Sequence, residues 1–133
     1  MTKEQRIEKA KALRSQGYNC AQCVAMSMTD LTGIDENTAA RSVAGLGGGV
    51  GGQGEICGVI GAFAHVAGML GDASPKGKPQ VYSTVRKLTD DFRQRFGCTL
   101  CRELKGRKPP VACNDLIFEG TEILHDHFCG DEA

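Results

Sequence analysis

The sequence predicts an all-α bundle of about six helices, on three observations. Apolar residues recur at spacings of three and four along most of the chain, the period of a helix with one buried face. Capping residues and glycines punctuate those stretches where helices should start and stop. No segment alternates with the period of two that a half-buried strand requires. At 133 residues the chain is expected to be one helical, cysteine-rich domain, 1–133, large enough to bury a core.

Thr2 with Gln5 forms a capping box ahead of Ile7, Ala10 and Leu13, and Gly17 closes that first helix. Asn19 with Gln22 repeats the box and opens a second helix from Cys20 towards Leu31, with Cys20, Val24 and Met28 on one face and Cys23 beside Cys20. Asp35 caps a third, about 36–44, which runs into the glycine-rich stretch 45–54. A glycine run this dense is expected where the backbone must bend sharply or approach something closely, because glycine reaches left-handed conformations without steric cost. It delivers Cys57 to a fourth helix, about 55–70, almost free of charge and expected to be the buried central one. Small residues in that helix, Gly58, Gly61, Ala62, Ala64, Ala67 and Gly68, let neighbours come close. Pro79 suits the first position of a fifth helix, where Val81, Val85, Leu88, Phe92 and Phe96 give the cleanest amphipathic pattern in the chain. Gly97 stops it, 98–105 reads as a short helix, and Pro109-Pro110 must be extended. Cys113 or Asn114 caps the last helix, which carries Leu116, Ile117, Gly120, Ile123, Leu124 and Phe128.

Sixteen basic and sixteen acidic residues give a formal net charge of zero, so no general attraction to nucleic acid is expected. The longest apolar run, about 56–70, falls short of the ~20 residues of a membrane span and contains His65. The charged stretch from Met1 to Lys11 does not read as a secretory signal or transit peptide, and a cytoplasmic protein is the expectation. In that setting seven cysteines point to metal binding or redox chemistry rather than to structural disulfides. Free cysteine also packs well as a small buried hydrophobe, which is the competing role for any one of them.

Two Cys-x-x-Cys pairs, Cys20/Cys23 and Cys98/Cys101, put their thiols on one side of a helix and could together make a four-thiolate site for zinc or an iron–sulfur cluster. The gap between them far exceeds that of compact zinc modules, and a thioredoxin-like pair would need a βαβ context that this chain lacks. A second grouping follows from helix ends. Cys20, Cys57 and Cys113 stand at or next to expected helix N-termini, where free N–H groups and the helix dipole favour a thiolate. Cys101 is followed by Arg102, Lys105, Arg107 and Lys108, a positive field acting in the same direction.

Asn19-Cys20-Ala21-Gln22, the glycine run leading to Cys57-Gly58, Phe96-Gly97-Cys98-Thr99-Leu100-Cys101-Arg102-Glu103-Leu104 and the later Cys113 resemble the redox-active C-GCAxxG-C-C family, from about Glu4 to Phe128. The resemblance implies a small helical protein whose characteristic cysteines are Cys20, Cys57, Cys101 and Cys113, the four that the helix-end grouping selects. A related domain in a cytochrome of the split-Soret type is associated with an iron–sulfur cluster. Val59 replaces the motif's alanine, and Ala62 stands at its later glycine with Gly61 one residue early, so small size is kept. Cys23, Cys98 and Cys129 are extras on this view, Cys23 and Cys98 being alternative ligands.

The expected chemistry is redox through the four-cysteine set, either ligating a 2Fe-2S or 4Fe-4S cluster or cycling as two dithiol/disulfide pairs. Gly54 and Gly58 are expected to serve the site through the backbone, with Gln53 and Glu55 as a simple cap. The alternative is a zinc-stabilised structural or partner-binding helical module without redox chemistry. The glycine run lacks the Gly-Lys-Ser/Thr ending and preceding strand of a phosphate loop. His65 is expected to be a satisfied core histidine. His125 and Cys129, four apart, are permissible ligands, but with Asp126, His127, Asp131 and Glu132 they read as a solvated helix end. A redox partner protein is expected, with no nucleic acid and no membrane insertion, and the apolar positions on the fifth helix are compatible with a homodimer.

Overall fold

The computed structural model describes residues 1–130, and among them the chain is all-helical. Asp131 and Glu132, part of the expected solvated end, lie outside the described residues. Eight α-helices follow in order: α1 (Lys3–Ser15), α2 (Cys20–Met26), α3 (Thr29–Thr32), α4 (Glu36–Val43), α5 (Gly58–Leu70), α6 (Lys78–Phe96), α7 (Cys101–Gly106) and α8 (Cys113–Cys129). Short 3-10 turns occupy Ala44–Leu46 and Pro75–Gly77. Both capping boxes form as expected, and the Asp35 carboxylate accepts from Thr38 N–H at 2.7 Å. Gly97, at φ 85°, ends α6 in the left-handed conformation.

Three boundaries differ from the sequence expectation. The fourth helix starts at Gly58 rather than about 55, because residues 54–57 pair with the segment before α7. The second helix breaks into α2 and α3 at Ser27 and Met28, where the Ser27 hydroxyl donates back to Val24 C=O at 2.7 Å and Met28 leaves helical geometry (φ −107°, ψ 8°). Side-chain hydroxyls that bond nearby carbonyls compete with the helix ladder. The short helix after Gly97 begins at Cys101, because Cys98–Leu100 runs extended alongside the glycine loop.

The core is a continuous cluster of Ala, Val, Leu, Ile, Met, Phe and Cys. The sequence placed α5 at its centre, and α2 shares that position. Six of the seven residues of α2 are buried, and it packs on α1, α4, α5 and α8. The second half of the core lies between α5, α6 and α8, where Phe63 meets Phe92 edge-on with centroids 6.2 Å apart and Phe92 stacks on Phe96. Val81 and Val85 of α6 are only half-buried, and beside them Tyr82 is exposed.

Candidate functional site

The three helix starts that the sequence singled out carry Cys20, Cys57 and Cys113 as expected, and Cys101, expected inside a short helix, also opens one. Cys20 is the first residue of α2, Cys57 the N-cap of α5, Cys101 the first residue of α7 and Cys113 the first residue of α8. The glycine loop brings them together. After the turn Ala44–Leu46, residues Gly48, Gly49, Val50, Gly51, Gly52 and Gly54 all take φ between 63° and 76°. They wind the chain left-handed, closed by bonds such as Val50 N–H to Leu46 C=O at 3.2 Å and Glu55 N–H to Gly49 C=O at 3.0 Å. For L-residues such a turn costs roughly 1–2 kcal/mol per residue, which glycine avoids and Val50 does not.

The loop leads into a short antiparallel pairing with the segment before α7. Cys57 N–H donates to Thr99 C=O at 2.8 Å, Cys101 N–H to Glu55 C=O at 2.7 Å and Arg102 N–H to Gly54 C=O at 3.1 Å, around a bridge between Ile56 and Leu100. Backbone bonding thus sets Cys57 and Cys101 at diagonal positions of one short pairing, although 44 positions separate them (101 − 57). Two glycines make the approach possible. A Cβ on Gly49 would stand 2.8 Å from Cys101 Cβ and 2.6 Å from Glu55 N, and one on Gly58 would stand 2.7 Å from Cys20 Sγ and 2.8 Å from Leu46 O. Gly58 therefore lets α5 reach the thiol of α2, while Gly54, with φ 75°, admits the start of α7.

Electrostatics tie the four thiols into one group. Burial pushes the Cys57 thiol up to about 12; Cys20, Cys101 and Cys113 push the same way, and the Val59 N–H opposes them. Burial also raises Cys101, with Cys113 and then Cys20 adding to it and Lys105 pulling back. The acidity expected at the start of α5 is therefore reversed. A helix terminus contributes about 0.3–1 kcal/mol, whereas the rise from 9.0 to about 12 is of the order of 4 kcal/mol. The set has two layers. Cys20 and Cys57 are buried, at 9% and 2% exposure, whereas Cys101 and Cys113 are half-buried.

The remaining candidates fall elsewhere. Cys23 is fully buried and faces Tyr18 C=O at 3.5 Å, its thiol raised to about 11 mainly by burial. Cys98 receives the Arg107 guanidinium at 3.3 Å. His65 is half-buried, with Nδ1 3.4 Å from the Ser42 hydroxyl and a buried, unpartnered Nε2, so it is not the satisfied histidine expected. All seven thiols are free, and no group of three or more His, Cys, Asp or Glu among the described residues is arranged to hold a metal ion.

His125 overturns the solvated-end expectation, because it is fully buried and accepts the Arg6 Nε–H at Nδ1, 3.1 Å away. Arg6 is itself fully buried, and its fork also bonds Ser27 C=O (2.7 Å) and the Asp30 carboxylate (2.5 and 3.0 Å). Sequence reasoning missed this network. Its one signal was the spacing of Arg6 with Ala10 and Leu13, which sets an arginine on the buried face of α1.

The family model described as "Putative redox-active protein (C_GCAxxG_C_C)" matches residues 18–127. No curated protein and no solved structure matches the chain.

Proposed function

This chain belongs to the C_GCAxxG_C_C family, and from that premise we propose that it is a thiol redox protein working through Cys20, Cys57, Cys101 and Cys113 as an outer and an inner dithiol pair. The observation that carries the reading is the convergence of those four thiols from four helix starts into one electrostatically coupled group. Ionisation of Cys57 and Cys101 is disfavoured by burial and by the neighbouring thiols, and a disulfide carries no charge to bury.

Cys101 is the attacking thiol, since Lys105 offsets part of the cost of its ionisation. Its thiolate attacks one sulfur of a partner disulfide, forming a mixed disulfide and expelling the other half as a thiolate that takes up a proton. Cys113 then loses its proton and attacks Cys101 Sγ. The second partner thiol departs, so the partner gains two electrons and two protons and the outer pair is oxidised. Cys20, coupled to both layers, next attacks Cys101 Sγ and frees Cys113. Cys57 attacks Cys20 Sγ and frees Cys101, which moves the disulfide inward.

A second reading rests on the same repulsion, which a cationic centre would also relieve. Four cysteine thiols match an iron–sulfur cluster by donor type, and Cys20, Cys57, Cys101 and Cys113 would hold it once drawn together. Such a cluster would supply one-electron transfer. Gly54 and Gly58 would then keep the surrounding backbone close, and burial would tune the potential.

Anaerobic purification followed by iron, sulfide and zinc analysis and visible spectroscopy separates the readings. The dithiol reading expects a colourless protein in which a small disulfide links Cys101 to Cys113 first and Cys20 to Cys57 later, seen by peptide mass spectrometry. Iron near stoichiometry, lost in Cys57→Ser, would establish the cluster instead. Firmly bound zinc with inert thiols would overturn both.

A further inference from the structure

We propose that the outer thiols take their disulfide from an anionic partner, one whose sulfurs are flanked by carboxylates, and that a cationic rim around Cys101 and Cys113 draws it in. The inference rests on the dithiol reading and adds its substrate class.

The formal charge of the chain is zero, yet cations gather at this mouth. Lys105 acts electrostatically on Cys101, and its Nζ donates to Val111 C=O at 3.1 Å, over the segment that joins α7 to α8. Arg14 donates to the Asn114 side chain at 3.3 Å, immediately after Cys113. Lys108 follows, exposed, whereas Arg107 gives its guanidinium to Phe96 C=O and Cys98 Sγ and is left out of the rim. Among the described residues none of Lys105, Arg14 and Lys108 forms an ion pair, whereas Arg102 is matched by Glu55 at 3.3 Å. The carboxylates nearby in sequence are Glu103 and Asp115, both exposed, so three cations less two carboxylates leave the rim at +1. A positive field here speeds encounter with an anionic disulfide. It also stabilises the thiolate that leaves when Cys101 forms the mixed disulfide, so the rim favours the chemical step as well as the approach.

The test measures how fast the anaerobic, reduced protein is oxidised by glutathione disulfide, which carries a net negative charge, and by cystamine, a dication. In each case two protein thiols become one disulfide and the reagent becomes two thiols. Raising ionic strength from about 0.01 to about 0.5 M should slow the glutathione reaction by about 10-fold and speed the cystamine reaction, as screening removes attraction and repulsion. Lys108→Glu, at an exposed position with no side-chain bond, should cut the glutathione rate several-fold at low salt and raise the cystamine rate. Lys105→Glu should do so more strongly. Salt slopes of the same sign for both reagents, or unchanged slopes in Lys108→Glu, would overturn the steering while leaving the dithiol reading intact. If neither reagent forms a disulfide among the four cysteines, the dithiol reading fails, and the steering with it.

Discussion

Gly58→Ala tests whether α5 and α2 are held at a distance set by a missing methyl group. In an unobstructed helix the change stabilises by about 1 kcal/mol, the difference in helix propensity. Here the new Cβ would lie 2.7 Å from Cys20 Sγ, 2.8 Å from Leu46 O and 3.3 Å from Ala21 Cβ. One of those neighbours is a backbone carbonyl and another a fully buried methyl, so rotating a side chain cannot relieve the clash. Overpacking of this kind costs about 1–3 kcal/mol, and the rigid neighbours place it in the upper half. The net expectation is a loss of about 1–2 kcal/mol, and each kcal/mol lowers Tm by about 3–5 °C for a domain of this size. Gly68→Ala is the internal control, since it lies in the same helix and nothing stands within 4 Å of its Cβ position. It should raise Tm. Urea denaturation and calorimetry of both variants decide the matter, and a Gly58→Ala protein as stable as Gly68→Ala would refute the close-approach argument.

Three further outcomes are expected. Val50→Gly should raise stability by about 0.5–1 kcal/mol in urea denaturation, because a β-branched residue at φ 64° gives up a left-handed strain that glycine does not carry. A loss above ~1 kcal/mol would mean the Val50 side chain contributes packing instead. Arg6→Ala should cost about 2–4 kcal/mol, since it breaks a half-buried ion pair, removes the donors to Ser27 C=O and His125, and empties a fully buried site; a loss below ~1 kcal/mol would show that the network is already solvated. Stability should also fall at alkaline pH. Cys57 has a folded-state value of about 12 against an ordinary 9.0, so the native state holds its proton longer than the unfolded chain. Its contribution is complete below pH 9, declines above it and is gone beyond about 12. Denaturation at pH 8 and 10.5 should show the decline, and Cys57→Ala should lessen it while Cys23, raised to about 11, keeps its share.

Much of the fold was legible because helix ends declare themselves chemically. Thr2, Asn19 and Asp35 cap as read, and Cys20, Cys57 and Cys113 were found at helix starts from the same signals, whereas Cys101 was picked out by the basic residues after it. The break at Ser27 was hidden because Met28 is buried, so the apolar period runs across it unchanged. Arg6 was hidden by its charge. An arginine on the inner face of α1 reads as an exposed residue until Ser27 C=O, Asp30 and His125 are brought to meet it by α2, α3 and α8. The glycine run announced a special loop, but its left-handed winding and the pairing that docks it on the start of α7 depend on contacts 44 positions apart. Thiol acidity failed for a related reason. Local sequence predicts the helix dipole, whereas burial depth, which outweighs it at Cys57, is a property of the whole packed chain.

Because each cysteine of the set stands at the start of a different helix, the set is assembled by tertiary packing rather than by any one local segment. Cys113 opens α8, which packs on α1, α2, α5 and α6. During synthesis the fourth thiol would therefore arrive last, after the other three have emerged from the ribosome. The backbone pairing that joins Cys57 to Cys101 lies wholly ahead of α8, so those two thiols meet without it and Cys113 completes the set.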